Sequence, residues 1–135
     1  MKKTTKIISW TVRVLAAVIM LQTLYFKFTA APESVYIFSQ LGMEPWGRIG
    51  VGVSELVASV LLLLPATAWL GGAAGFGLMS GAVFFHFTSL GIEVQGDGGQ
   101  LFYYALAVLI CSVLVVALHR DEMKTFITKK VLRKA

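Results

Sequence analysis

The chain has 135 residues and a net charge of +5, with 57% of its residues hydrophobic and only 14% charged. That charged share is about half of what soluble domains carry, and a domain this small buries the smallest fraction of its surface, so a water-soluble fold is excluded. The basic residues crowd the two ends (Lys2, Lys3 and Lys6, then Arg120, Lys124, Lys129, Lys130, Arg133 and Lys134) without the interleaved aromatics of a nucleic-acid groove, so lipid, not nucleic acid, is the expected partner.

The first apolar segment, 7–28, contains Arg13, Gln22 and Lys27. It is long enough to cross a hydrocarbon core, which takes ~20 helical residues. Its internal charges and its length argue against a cleaved leader, despite the small residues Ala30 and Ala31 that follow. A loop with Glu33 and Glu44 leads to the second segment, 46–64, which carries Arg48 and Glu55 and stops at Pro65. The third segment, 66–90, is rich in glycine and holds His86 near its end; a loop with Glu93 and Asp97 follows. The fourth, 101–118, opens on Tyr103 and Tyr104, has no charge and contains the single cysteine, Cys111. One cysteine excludes an internal disulfide, a CxxC pair and a thiolate zinc site, and in an apolar run it reads as a small packed hydrophobe. No metal site is expected.

These segments predict an all-α protein: a four-transmembrane-helix bundle over 1–118 and a basic tail over 119–135 that lies as a helix on the membrane surface. A β-barrel is excluded by the lack of alternation. Basic ends and acidic loops place both termini in the cytoplasm. Small residues at four-residue spacing, Gly50–Ser54–Ala58, Gly71–Gly75 and Gly77–Gly81, suit close helix approach within one chain or between copies of a homo-oligomer.

Ionisable groups in a membrane cost ~2.5–3.5 kcal/mol each even on insertion scales, so each calls for a reason. Side chains on a helix lean toward its N-terminus. Lys27 and His86, on outward-running helices, therefore lean toward the membrane centre, while Glu55, on an inward-running one, leans outward. The expectation is a Lys27–Glu55 pair in the outer half with His86 adjacent, Gln22 as a neutral partner, and Tyr103 and Tyr104 at the same level. Arg48 shares a face of its helix with Glu55 but lies two turns away; it reads as structural or as snorkelling to the headgroups. Arg13 is expected to snorkel to the opposite, inner surface.

Several of these features together resemble the DoxX family of small four-helix membrane proteins. They are Arg13 early in the first helix, Tyr25–Phe26–Lys27–Phe28 at its end, and Phe38-Ser-Gln-Leu-Gly-Met in the following loop. Further along come Gly50-Val-Gly-Val-Ser-Glu55-Leu opening the second helix, Pro65 closing it, and Met79-Ser-Gly-Ala with His86 and Gly91 in the third. The resemblance covers about residues 10–118. It implies a four-helix membrane bundle of the bacterial cytoplasmic membrane, with recurring polar positions at Arg13, Lys27, Glu55 and His86. It also implies association with a soluble or membrane oxidoreductase subunit, without itself assigning catalysis.

Two functions follow as expectations. The first is a redox-associated subunit without an intrinsic cofactor, whose outer-leaflet pocket (Lys27, Glu55, His86, Gln22, Tyr103, Tyr104) takes a quinone or similar amphiphile. The second is a non-enzymatic assembly protein that binds partner transmembrane helices. A small carrier ranks below both, because the chain has no evident inverted repeat. The orientation is checked by reporter fusions: those after Ala135 should read cytoplasmic and those within 93–98 external, and an external C-terminus would overturn the topology.

Overall fold

The structure is a computed structural model and describes residues 1–134. In a bilayer every backbone polar group must be satisfied internally, so each apolar segment folds as a helix. Helix α1 is Lys3–Phe28. The segment expected as a loop contains a short helix, α2, Pro32–Gln40. Pro32 sits at its first turn, where a missing N–H costs nothing. Ser34 and Phe38, one turn apart, form its buried side. Helix α3 is Trp46–Leu63, and a 3₁₀ turn over Pro65–Thr67 leads into α4, Ala68–Phe85. A π-helical turn, His86–Leu90, extends α4 to Gly91, whose φ of 79° only glycine adopts freely. Helix α5 is Gln100–Leu118, and α6, Arg120–Lys134, covers most of the expected tail; Ala135 and the Lys134 side chain lie outside the described residues.

Four helical stretches are long and apolar enough to span a bilayer: Lys3–Phe28, Trp46–Leu63, Pro65–Leu90 and Gln100–Leu118. They pack as a ring in which α1 meets α3, α3 meets α4, α4 meets α5 and α5 returns to α1. Met20, Ala58, Leu62, Val108 and Val115 fill the centre, with Cys111 buried among them. Outward faces are as apolar as the core, with Val14, Val18, Val57 and Ile110 all exposed. That distribution belongs in lipid.

Glycines set the closest approaches. A Cβ on Gly71 would lie 2.6 Å from the backbone nitrogen of Leu62, which fixes the α3–α4 spacing. One on Gly75 would lie 2.5 Å from Ser112 Oγ, a buried hydroxyl without a hydrogen-bond partner among the described residues. The Gly75 Cα–H thus faces the Ser112 oxygen across the α4–α5 contact, a weak interaction that recurs where helices pack closely. Gly50, Gly77 and Gly81 have open space beside them instead.

The bundle has two dissimilar ends. The loop end carries α2 and the 91–99 turn; the tail end carries both chain ends and the 3₁₀ turn. At the loop end Asp97 organises its turn by accepting hydrogen bonds from the N–H groups of Val94, Gly99 and Leu101 at 3.0, 2.8 and 3.3 Å. Partial burial raises its pKa, but these three donors and nearby His86 outweigh that and hold the carboxyl below its usual range. This stabilisation is present above the ordinary carboxylate pKa and is lost as pH falls through the lowered folded value.

Candidate functional site

The polar side chains inside the bundle concentrate on the contact between the antiparallel helices α1 and α3. Glu55 lies nine residues into α3, about 14 Å along its axis by helical rise. Its carboxylate is only 5% exposed and Lys27 Nζ is 2.9 Å from Oε1. Lys27 stands one residue before the end of α1, so its long side chain leans back toward the bundle centre to reach the carboxylate. The ammonium also donates to Thr23 Oγ1 at 3.1 Å, and Thr23 Oγ1 donates to the Glu55 Oε2 side at 3.5 Å and to Met20 O at 2.7 Å in alternative directions. Thr23 was not singled out from sequence, although its four-residue spacing from Lys27 puts both on one helix face. Glu55 Oε1 meets the Lys27 ammonium as an ion pair and has no further donor among the described residues.

Both arginines of the spanning helices, Arg13 and Arg48, are tied down. Arg48 donates through Nε to both Glu44 carboxylate oxygens, at 2.9 and 3.1 Å, and through Nη1 to the carbonyl of Lys27. That carbonyl belongs to the last turn of α1, where helical acceptors lack partners and a cation is favoured. Arg48 is therefore structural and buried, not free at the headgroups. Gly52, between Arg48 and Glu55, admits the Phe28 ring: a Cβ there would lie 2.8 Å from it.

Arg13 corrects the expectation of snorkelling. It is 2% exposed and donates through Nε to Leu62 O at 2.6 Å, in the last turn of α3. Pro65 is the cause. Lacking an N–H, it ends α3 and strands carbonyls in the final turn. Thr67 Oγ1 takes Leu61 O at 3.0 Å and Arg13 takes Leu62 O. The guanidinium also lies over the Trp10 ring, 3.9 Å from its centroid.

The other expected site residues do not join the Lys27–Glu55 pair. His86 Nδ1 is 2.9 Å from Gly91 O, and its ring meets Phe102 edge-on at 5.6 Å. The π-helical turn directs it to its own loop rather than toward α1. Gln22 is exposed on the outside of α1, because one residue of helix rotates it about 100° from Thr23. Tyr103 is 61% exposed on the outer face, and the Tyr104 hydroxyl accepts from Gln100 Nε2 at 2.9 Å. Phe102, the buried aromatic of that helix, is the one against His86.

A second polar group at the tail end was not anticipated. Ser9 Oγ lies 2.7 Å from His119 Nε2, and His119 Nδ1 lies 3.0 Å from Glu122 Oε1. The order of groups is that of a nucleophile–base–acid relay, yet Ser9 is 2% exposed and the surface groove along this stretch of α1, lined by Trp10, Thr11, Val14, Leu15 and Val18, does not include it. The chain of bonds joins α1 to the start of α6.

Four apolar spanning helices around a buried cross-helix ion pair define a small polytopic integral membrane protein. The chain belongs to the DoxX-like family, whose model matches residues 11–115, a stretch that contains Arg13, Lys27, Arg48, Glu55 and His86. Searches of curated proteins and of solved structures return no match.

The altered position of Arg13 changes what substitution should do. A lysine has no planar fork to reach Leu62 O while lying over Trp10. Arg13→Lys should lower unfolding free energy by about 1.5–3 kcal/mol, the worth of a hydrogen bond to a charged group. Thermal unfolding in detergent checks this, with Arg120→Lys on the exposed start of α6 unchanged.

Proposed function

We propose that this protein is a redox-associated subunit, in the bacterial cytoplasmic membrane, that binds a quinone or similar small amphiphile at Lys27, Thr23 and Glu55, with the loop end facing outward. The observation that carries the reading is unused hydrogen-bonding capacity in a membrane interior. The Lys27 ammonium has three donors, of which contacts to Thr23 Oγ1 and Glu55 Oε1 occupy two, and each Glu55 oxygen, with one contact, keeps a lone pair free. A quinone carbonyl needs a donor, and the hydroxyl of its reduced form needs an acceptor. Lys27 and Glu55 stand side by side to provide one of each, and Lys27, at 15% exposed, is the more accessible of the two.

When bound, a quinone supplies the electron-accepting couple. The residues of this chain would bind its head, orient it and hold a proton at the Glu55 carboxylate. Electrons would come from a soluble or membrane oxidoreductase partner. In this reading the binding set narrows to Lys27, Thr23 and Glu55. His86 and Tyr104 belong to the neighbouring loop and helix end, and Gln22 and Tyr103 face outward.

A second reading, an assembly protein for partner helices or for further copies of itself, is favoured by Gly77 and Gly81, which have open space beside them on α4. Extraction of the purified protein followed by mass spectrometry separates the two. The quinone reading expects quinone near one per chain, falling at least about fivefold in Lys27→Met with Glu55→Gln. That double change leaves neither charge buried alone, so it should fold. Equal quinone in both proteins, or none in either, would remove the binding site and leave the assembly reading.

A further inference from the structure

The tail end of the molecule presents a surface that the ion pair does not explain. Helix α5 stops at His119, whose φ of −108° and ψ of 18° break the helix before α6 begins. His119 is buried, held by Ser9 of α1 on one ring nitrogen and by Glu122 of α6 on the other. These bonds fix the direction in which α6 leaves the bundle. About two turns beyond His119, Phe126 rests on Trp69, the second residue of α4, with ring centroids 5.3 Å apart. The first half of α6 is therefore held against the end of the bundle and does not simply prolong α5.

Beyond that anchor α6 exposes both kinds of side chain that a membrane surface accommodates. Phe126, Ile127, Val131 and Leu132 are exposed, and Phe126, Ile127 and Val131 line a shallow apolar groove together with Lys130. Lys130 Nζ sits 5.3 Å from the Phe126 ring centroid, so a cation and an apolar surface adjoin. Lys124, Lys129 and Arg133 are exposed along the same helix, and Lys2, Lys3 and Lys6 begin α1 at the same end. The acidic residues of α6, Asp121 and Glu122, lie in its first turn, and Glu122 is engaged by His119.

We propose that α6 is an arm that binds the anionic phospholipid headgroups of the leaflet at the tail end of the bundle. Charge complementarity selects anionic over zwitterionic lipid, each cation near such a surface being worth about fivefold in binding. The exposed apolar side chains select lipid over an acidic soluble protein. They lie next to the spanning helices, at the boundary between headgroup and acyl chain, where burying apolar surface is favourable. The Ser9–His119–Glu122 bonds keep the arm at that level.

Hydrogen exchange of the amides in 123–133, measured on the full chain in nanodiscs, tests this. Exchange should be at least about fivefold slower when 30% of a phosphatidylcholine bilayer is replaced by phosphatidylglycerol, taking about fivefold per cation as the scale. The difference should vanish in high salt. It should also vanish in a variant with Lys124→Gln, Lys129→Gln, Lys130→Gln and Arg133→Gln, whose exchange in pure phosphatidylcholine, matching that of the unaltered chain, reports an intact helix. Equal exchange in the two bilayers would overturn the proposal. So would a difference that persists in the fourfold variant, or protection that appears only when an acidic soluble protein is added.

Discussion

The reciprocal tie between α1 and α3 is the constraint on which the rest of the bundle rests. The two helices are antiparallel, and each sends an arginine to a carbonyl in the last turn of the other: Arg48 to Lys27 O, and Arg13 to Leu62 O. Between these two attachments the Lys27–Glu55 pair joins the same helices through their side chains. A helix C-terminus in lipid has stranded acceptors and a partial negative charge, so it pairs well with a cation that would otherwise be expensive to bury. The polar groups that would penalise insertion one at a time thus become three attachments along one interface.

Other features follow from that pairing. With α1 fixed on α3, α4 closes on α3 through Gly71, and α5 closes on α4 through Gly72 and Gly75, where Val115 and Ser112 fill the space a side chain would need. Helix α5 then meets α1, which brings His119 to Ser9 and sets the start of α6. Pro65 contributes twice. It turns the chain between α3 and α4, and it frees the carbonyls that Thr67 and Arg13 take.

The four spans were legible in the sequence because apolar length is a strong, local signal, and the family resemblance reinforced it. The Lys27–Glu55 contact was legible for a different reason: two opposite charges at neighbouring depths in lipid have few alternatives. Arg13 was not, because its partner is a main-chain carbonyl exposed by a proline some fifty residues later, and backbone acceptors leave no mark in side-chain patterns. The bond of His86 to Gly91 O was not legible, because it forms within a π-helical turn that a regular helical rotation does not foresee. Helix α2 was missed because nine residues between proline and glycine look like a loop when only Ser34 and Phe38 mark a buried side. Ser9 stands 110 residues from His119, and nothing in the local pattern of either marks the pair, so only the folded arrangement joins Ser9 to His119 and its neighbour Glu122.

A buried ion pair can be a fastening, a binding site or both, and the α1–α3 interface has the geometry of a fastening first. The energetic coupling of Lys27 and Glu55 is measured by a double-mutant cycle of Lys27→Met and Glu55→Gln in detergent. Each single change leaves the other side chain buried without its partner, so the Lys27 variant in particular should lose ~3–5 kcal/mol of stability. The double variant should lose less than the sum, with a coupling above ~1 kcal/mol. Strictly additive losses would mean that the two charges do not support one another, and the account of the α1–α3 contact would fail.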